Sequence, residues 1–235
     1  MIYLKKIFKD IDIFFKLRKI KKHKKYKIIP LGTYCLPRTI TTISGIKPRK
    51  KDGEKSLPFD LVFFHNTDAI ANLISTKFEH FFDKLEFSTQ FNCWENKDFR
   101  AIFAHDENIS KEDFIKRYSN RIKNFYEYLS DKTQHAYFLF ADNNNIDKST
   151  LTNIRNAILN FRKPEEFDII IINQSPDENN EKIENVHIIN QNENIKNFEL
   201  INDNGGWAGN LKKRNTEPAQ KIYYEIIYGI LNIIK

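Results

Sequence analysis

Hydrophobic and polar residues along the chain fall into two patterns, one typical of strands and one typical of helices. Short, mostly unbroken runs of β-branched and aromatic residues predict buried strands at residues 26–32, 99–104, 136–141, 168–173 and 186–189. Apolar residues at helical spacing predict helices at residues 67–83, 110–129, 148–161 and 218–234. The aromatic stretch before residue 99 follows neither pattern and is predicted to be irregular.

The order of these elements predicts an α/β fold. Strands that alternate with helices are typical of a mostly parallel central sheet with helices on both faces. A basic amphipathic helix precedes this body. We therefore expect two parts, an N-terminal basic helix over residues 1–25 and a single α/β domain over residues 26–235.

Charge sharpens this division, because almost all of the excess lies in the N-terminal segment. Residues 1–27 carry eleven basic and two acidic side chains, a net charge of +9, whereas the remainder carries 27 basic and 29 acidic side chains, or −2. A basic amphipathic helix is typical of a segment that binds an anionic membrane surface. A helix packed on the body and followed by a solvated charge run fits equally well. The nearly neutral body gives no indication of nucleic-acid binding.

Composition excludes several other classes of protein. The 235 residues are 40% hydrophobic and 14% aromatic, too apolar for a disordered chain. No apolar run approaches the ~20 residues of a membrane-spanning helix, so we expect a cytoplasmic protein that can lie at the inner membrane face. The chain lacks nucleotide-binding glycine loops and zinc-ligand spacing, so no cofactor and no metal are predicted.

Cys35 is the leading candidate for chemistry. It follows Gly32 at the end of the first predicted strand, where a helix is expected to begin. Helix N-terminal amides lower the pKa of a thiol and can form an oxyanion hole, and ligands of open α/β sheets bind at the carboxyl ends of strands. The alternative is a small buried apolar residue. Cys93, in an aromatic stretch, is predicted to be core.

A cysteine nucleophile needs a base, and two histidines are candidates. His65 and His105 each follow an apolar, strand-like run, so that strand ends could present them to a cleft. His105 is followed directly by Asp106. The residues alone do not choose between these imidazoles, and either could simply cap a loop.

Three short motifs in a fixed order carry a resemblance to a known family. They are G-T-Y-C at residues 32–35, P-F-D at 58–60 and H-D at 105–106. In this order they resemble a bacterial family described as papain-like cysteine peptidases, in which a G-x-x-C turn after the first strand precedes P-F-D and a later His near an Asp. The resemblance covers about residues 26–230. Leu61 departs from it, because the family usually has Trp after P-F-D.

Two later features match the same family. Arg117 and Arg121 fit its helix with an R-x-x-x-R pattern, and the sequence Trp207-Ala208-Gly209 resembles a late motif. We therefore interpret Trp207, in a Gly-rich segment, as a residue that closes over a substrate or as an ordinary loop anchor.

The resemblance implies a set of roles for the candidate residues. Cys35 would be the nucleophile and His105 its general base. Asp60 and Asp142 both follow apolar runs and could orient the imidazole; we favour Asp60, because a carboxylate among apolar neighbours is costly without a fixed partner. Asp60 could instead cap the backbone amides of the turn at residues 32–35. The remaining predicted substrate contacts are Gly32, Thr33, Tyr34, His65, Asp142 and Trp207.

These observations predict a cysteine-nucleophile acyl-transfer enzyme, a hydrolase or a transferase, for a peptide or glycan-linked substrate. The alternative is a non-catalytic or glycan-modifying accessory protein whose turn at residues 32–35 binds an anionic group through helix-terminal amides. The rate of Cys35 alkylation distinguishes the two.

Overall fold

The computed structural model describes residues 11–18, 26–142, 146–174, 183–190 and 217–234. The helices within these residues are α1 (residues 11–18), α2 (Leu36–Ser44), α3 (Asp68–Ser75), α4 (Lys111–Ser130), α5 (Lys148–Leu159) and α6 (Glu217–Ile233). The strands are β1 (Tyr26–Gly32), β2 (Phe63–Phe64), β3 (Leu85–Ser88), β4 (Cys93–Asn96), β5 (Ala101–Ile102), β6 (His135–Ala141), β7 (Phe167–Gln174) and β8 (Val186–Asn190).

The predicted parallel sheet is present, with strand order β1-β6-β7-β8. Successive side chains on its strands point to opposite faces, so Phe138 and Phe140 of β6 face one core while Tyr137 and Leu139 face the other. Helices α3, α4 and α5 contribute to the first core, and α2 and α6 to the second. The α/β class is therefore confirmed, with helices on both faces of this sheet.

A second, antiparallel sheet was not predicted. It has the strand order β2-β5-β4-β3, so half of the strands in the described residues lie outside the parallel sheet. The interpretation of the aromatic segment before residue 99 as irregular is wrong, because β3 and β4 pair there as a hairpin with Phe87 opposite Trp94.

The helix predicted for residues 67–83 is too long. Helix α3 ends at Ser75, and Lys77, Phe78 and His80 have positive φ angles, which break the helix. Phe78 and Phe81 nevertheless reach the core from turns, where their rings pack edge to face. Their helical spacing correctly indicated that both rings are buried, but it predicted a helix where the chain forms turns.

The helix predicted for residues 110–129 is confirmed as α4, and Ser110 caps its start. Ser110 Oγ accepts a hydrogen bond of 3.0 Å from the Asp113 amide, which satisfies one of the amides at the start of α4. At the N-terminus, only residues 11–18 of the predicted basic helix are described. Trp207 lies outside the described residues. No helix among those described is long and apolar enough to cross a membrane.

Candidate functional site

The turn at residues 32–35 joins β1 to α2 at the carboxyl end of the parallel sheet. Gly32 has φ +123°, and a Cβ atom there would lie 2.3 Å from the carbonyl oxygen of Ala141 in β6. Only glycine fits such a close approach. The Thr33 amide then donates a 3.0 Å hydrogen bond to the same carbonyl. The turn is thereby fixed against the end of β6.

Cys35 occupies the N-cap position of α2, as the sequence predicts. Its carbonyl oxygen accepts the Thr39 amide at 3.0 Å, and Pro37 lies in the first turn of the helix. Only 5% of Cys35 is exposed. Thr33 and Tyr34 are buried as well, and the Tyr34 ring packs in the core on the α6 side of the sheet. The thiol therefore lies at the helix start but beneath the surface.

The two candidate histidines lie where the antiparallel sheet joins this turn. The Phe64 amide donates a 2.9 Å hydrogen bond to the Thr33 carbonyl, which connects β2 to the turn. His65 follows and is exposed. The exposed ring of His105 stacks on Phe63, with 6.4 Å between ring centroids and 15° between planes. Strand β2 thus links the Cys35 turn to both imidazoles.

Asp142 lies beside the same turn, directly after the residue that contacts Gly32. Its buried carboxylate accepts a 2.6 Å hydrogen bond from Thr67 Oγ1, just before α3 begins. Asp142 and Cys35 therefore lie at the ends of neighbouring strands, because Gly32 pairs with Ala141, while the predicted role of Asp142 in contacting a substrate stays a prediction.

Asp60 makes contacts to cations and to a backbone amide. Its buried carboxylate accepts the Leu57 amide at 2.9 Å and lies 3.7 Å from Nε of Arg38 in α2. Burial raises the pKa of the Asp60 carboxyl, against the opposing effect of Lys47 and Arg38. These contacts close the turn at residues 57–60 and attach it to α2. The predicted role of Asp60 in orienting an imidazole stays a prediction.

Asp106, next to His105, is held by the arginine pair of α4. Its buried carboxylate accepts hydrogen bonds from Arg117, from Arg121 Nη1 at 2.9 Å and from the Tyr118 hydroxyl at 3.0 Å. Burial acts to raise the pKa of Asp106, but Arg121, Arg117 and Tyr118 together hold it below its ordinary value. The H-D and R-x-x-x-R motifs thus form one ion-pair cluster that anchors the segment carrying His105.

Glu95 is a charged residue near the site that the sequence did not indicate. It is buried on β4, opposite Ile102, which in turn lies opposite Phe63. A 2.5 Å hydrogen bond from Lys97 is the main cause that lowers the pKa of Glu95, and His65 adds to this effect. Glu95 was missed because its segment has no clear pattern apart from a short alternation.

Cys93 is less suited to chemistry than Cys35. It is fully buried at the start of β4, and burial raises the pKa of its thiol, with a further contribution from Glu95. The prediction that Cys93 belongs to the core is consistent with this position.

A cavity of about 270 Å³ lies at the amino end of β1, the opposite end from Cys35. Lys47 and Glu54 line it and form a 2.5 Å ion pair, and Lys47 also donates to the Ile28 carbonyl at 3.0 Å. Burial lowers the pKa of Lys47.

In the part of the chain that the structure describes, no three His, Cys, Asp or Glu side chains are grouped so that they could hold a metal ion.

Comparisons of the chain with protein-family models, with curated proteins and with solved structures found no match. The resemblance to papain-like cysteine peptidases therefore rests on the sequence motifs.

Proposed function

We propose that the protein catalyses acyl transfer through Cys35, as a hydrolase or a transferase. One observation carries the proposal: Cys35 is the N-cap of α2 at the carboxyl end of β1, and the Thr33–Phe64 hydrogen bond connects its turn to the strand beside His65 and His105. Papain-like chemistry needs a thiol at a helix N-terminus and an imidazole nearby. Both groups, a cysteine thiol and a histidine imidazole, are present where the two sheets meet.

The reaction would proceed in two steps, acylation of Cys35 and then deacylation. The imidazole takes the Cys35 proton, the thiolate sulfur bonds to the substrate carbonyl carbon, and the leaving group departs with the proton from the imidazolium. Water or another acceptor then attacks the thioester and restores the thiol. The Leu36 and Arg38 amides lie in the first turn of α2, where helix amides lack intrahelical acceptors, and would stabilise the oxyanion.

His105 is the proposed base. Its ring is supported by Phe63, and its neighbour Asp106 is fixed by Arg117 and Arg121. A catalytic imidazole must be held in position for proton transfer to be efficient. His65 is the second candidate, because it directly follows β2, the strand that carries Phe63, and it contributes to lowering the pKa of Glu95.

Alkylation kinetics test the proposal directly. Purified protein is treated with iodoacetamide between pH 6 and 9, and the labelling of each cysteine is followed by mass spectrometry. We expect Cys35 to react faster than Cys93, with an apparent pKa below the ordinary value of about 8.5. His105→Ala should remove the fast reaction at low pH, whereas Cys93→Ser, the matched control, should leave it unchanged. Labelling of Cys35 at the rate of Cys93, or an ordinary pKa, would refute the proposal.

The burial of Cys35 favours a second candidate function. A cysteine residue that is only 5% exposed fits a non-catalytic protein that binds an anionic group at the Gly32–Cys35 turn through helix-terminal amides. In that case Cys35 should label slowly, and Cys35→Ser should leave the affinity for inorganic phosphate unchanged, because a backbone site does not need the thiol.

A further inference from the structure

Helix α1 is docked on the body through one of its faces. Ile13 and Leu17 pack against the core formed with α2 and α6. Lys16 donates a 2.5 Å hydrogen bond to Asn232 of α6, and its ammonium group lies 5.1 Å from the centroid of the Tyr228 ring. The described part of the N-terminal segment is therefore attached to the folded domain.

The opposite face of α1 is apolar and exposed. Ile11, Phe14 and Phe15 are 46%, 60% and 59% exposed, and with Arg18, also exposed, they follow the i, i+3, i+4, i+7 spacing of one helix face. The two phenyl rings pack edge to face with centroids 5.8 Å apart. We call Ile11, Phe14 and Phe15 the α1 ridge. Exposed apolar side chains grouped in this way, rather than scattered singly, are typical of interaction sites.

Charge identifies the kind of partner that the α1 ridge fits. Residues 1–27 carry a net charge of +9 in a chain whose remainder carries −2. A surface that buries phenyl rings beside such a segment has to be apolar and negatively charged, which describes an anionic bilayer, where acyl chains lie beneath anionic headgroups. A second copy of the chain is disfavoured, because docking ridge to ridge would bring two segments of charge +9 together.

We propose that the α1 ridge binds anionic lipid bilayers while α1 stays docked on α6. The membrane and the body then use different faces of one helix, Phe14 and Phe15 towards lipid and Ile13 and Leu17 towards the core. In this arrangement α1 would be both a helix packed on the body and a membrane-binding helix, the two interpretations that the sequence leaves open. Because α1 stays docked, the domain itself is held at the bilayer in one orientation.

Sedimentation with vesicles tests the ridge. The full chain is mixed with vesicles of phosphatidylcholine and phosphatidylglycerol, or of phosphatidylcholine alone. We expect binding only to the anionic vesicles, with loss at high salt. The Phe14→Ser/Phe15→Ser variant should bind anionic vesicles at least about tenfold more weakly than wild type, because two apolar rings no longer enter the lipid.

The matched control is Phe87→Ser/Phe91→Ser, which removes two other exposed phenyl rings, 41% and 49% exposed, near the β3–β4 hairpin. It should bind anionic vesicles within about twofold of wild type. Equal loss in both variants, equal binding to both vesicle types, or no binding by the wild-type chain would overturn the proposal. A dimer that only the α1 variant abolishes, without vesicle binding, would assign the ridge to a second copy and would also overturn it.

Cross-linking tests whether α1 stays docked. Lys16→Cys and Asn232→Cys, in a Cys35→Ser/Cys93→Ser background, place thiols at a pair of residues in contact, and a short bis-maleimide joins them. We expect the cross-linked protein to keep its affinity for anionic vesicles. Loss of binding after cross-linking, with binding intact in the unlinked variant, would show that α1 must leave α6 to bind lipid.

Discussion

Replacement of Asp106 by Asn should strongly destabilise the protein, because it leaves a buried cation without its counter-ion. The Asp106 carboxylate is buried and accepts hydrogen bonds from Arg117, Arg121 and Tyr118. The side chain of Arg121 is only 9% exposed. Removal of one partner of a buried ion pair costs about 3–5 kcal/mol, a large part of the roughly 5–15 kcal/mol by which domains are stable.

Urea unfolding at pH 7 measures this loss, and the two arginines provide matched variants. Arg121→Ala should cost nearly as much as Asp106→Asn, whereas Arg117→Ala should cost less than about 1 kcal/mol, because the side chain of Arg117 is 43% exposed and its ion pair is screened by water. If Asp106→Asn does not fold, Asp106→Asn/Arg121→Met should recover stability by removing the stranded charge. Equal effects of Arg117→Ala and Arg121→Ala would refute the reasoning.

The stabilisation by Asp106 should also depend on pH in a defined direction. The pKa of Asp106 is lowered in the folded state, so the carboxylate contributes its full stabilisation above the unfolded value of about 3.9. That contribution is lost as the pH falls through the lower folded pKa. The difference in unfolding free energy between wild type and Asp106→Asn should therefore be constant above about pH 5 and shrink below about pH 4. A difference that grows towards low pH would contradict this linkage.

Three further predictions concern the turn, the cavity and the P-F-D motif. Gly32→Ala should lower the unfolding free energy by about 2–4 kcal/mol in urea titration, because its Cβ would overlap a β6 carbonyl, whereas Gly53→Ala, with open space around it, should cost only about 1 kcal/mol. Glu54→Gln should lower the unfolding free energy by about 2–3 kcal/mol at pH 7, and part of this stability should be recovered in alkaline solution. The pKa of Lys47 is already lowered in the folded state, so the folded protein loses this proton at a lower pH than the unfolded chain, and stability rises with pH. Asp60→Asn should change the unfolding free energy by less than about 1 kcal/mol in thermal unfolding. Burial already disfavours the charged form of the Asp60 carboxyl, and an amide oxygen can still accept the backbone hydrogen bond. A loss of several kcal/mol would show that the charge of Asp60 is essential.

Local patterns in the sequence were sufficient for the parallel sheet and for helices α4, α5 and α6. Strand β6 and helix α4 begin within one residue of their predicted starts, because unbroken apolar runs and a Ser110 cap are determined within a few neighbouring residues. The position of Cys35 at a strand–helix turn was predictable for the same reason, since glycine and proline mark such turns locally.

The antiparallel sheet and the contacts of the site were decided by the tertiary structure. Phe63 pairs with Ile102, which lies 39 residues later in the sequence, and no local pattern selects such a distant partner. Phe78 shows helical spacing, yet its ring packs against Phe59 and Phe125 from a turn. Burial against distant residues there outweighs local helix propensity.

The sequence by itself determined which residues are apolar, where β1, β6 and α4 form, and that charge is concentrated before Tyr26. Only the tertiary structure decided that Asp106 pairs with arginines, that Asp60 contacts Arg38, and that α1 keeps one apolar face for the core and leaves another exposed. The physical reason is that a charge or an apolar face specifies what kind of partner it needs, whereas chain topology determines which partner lies within reach.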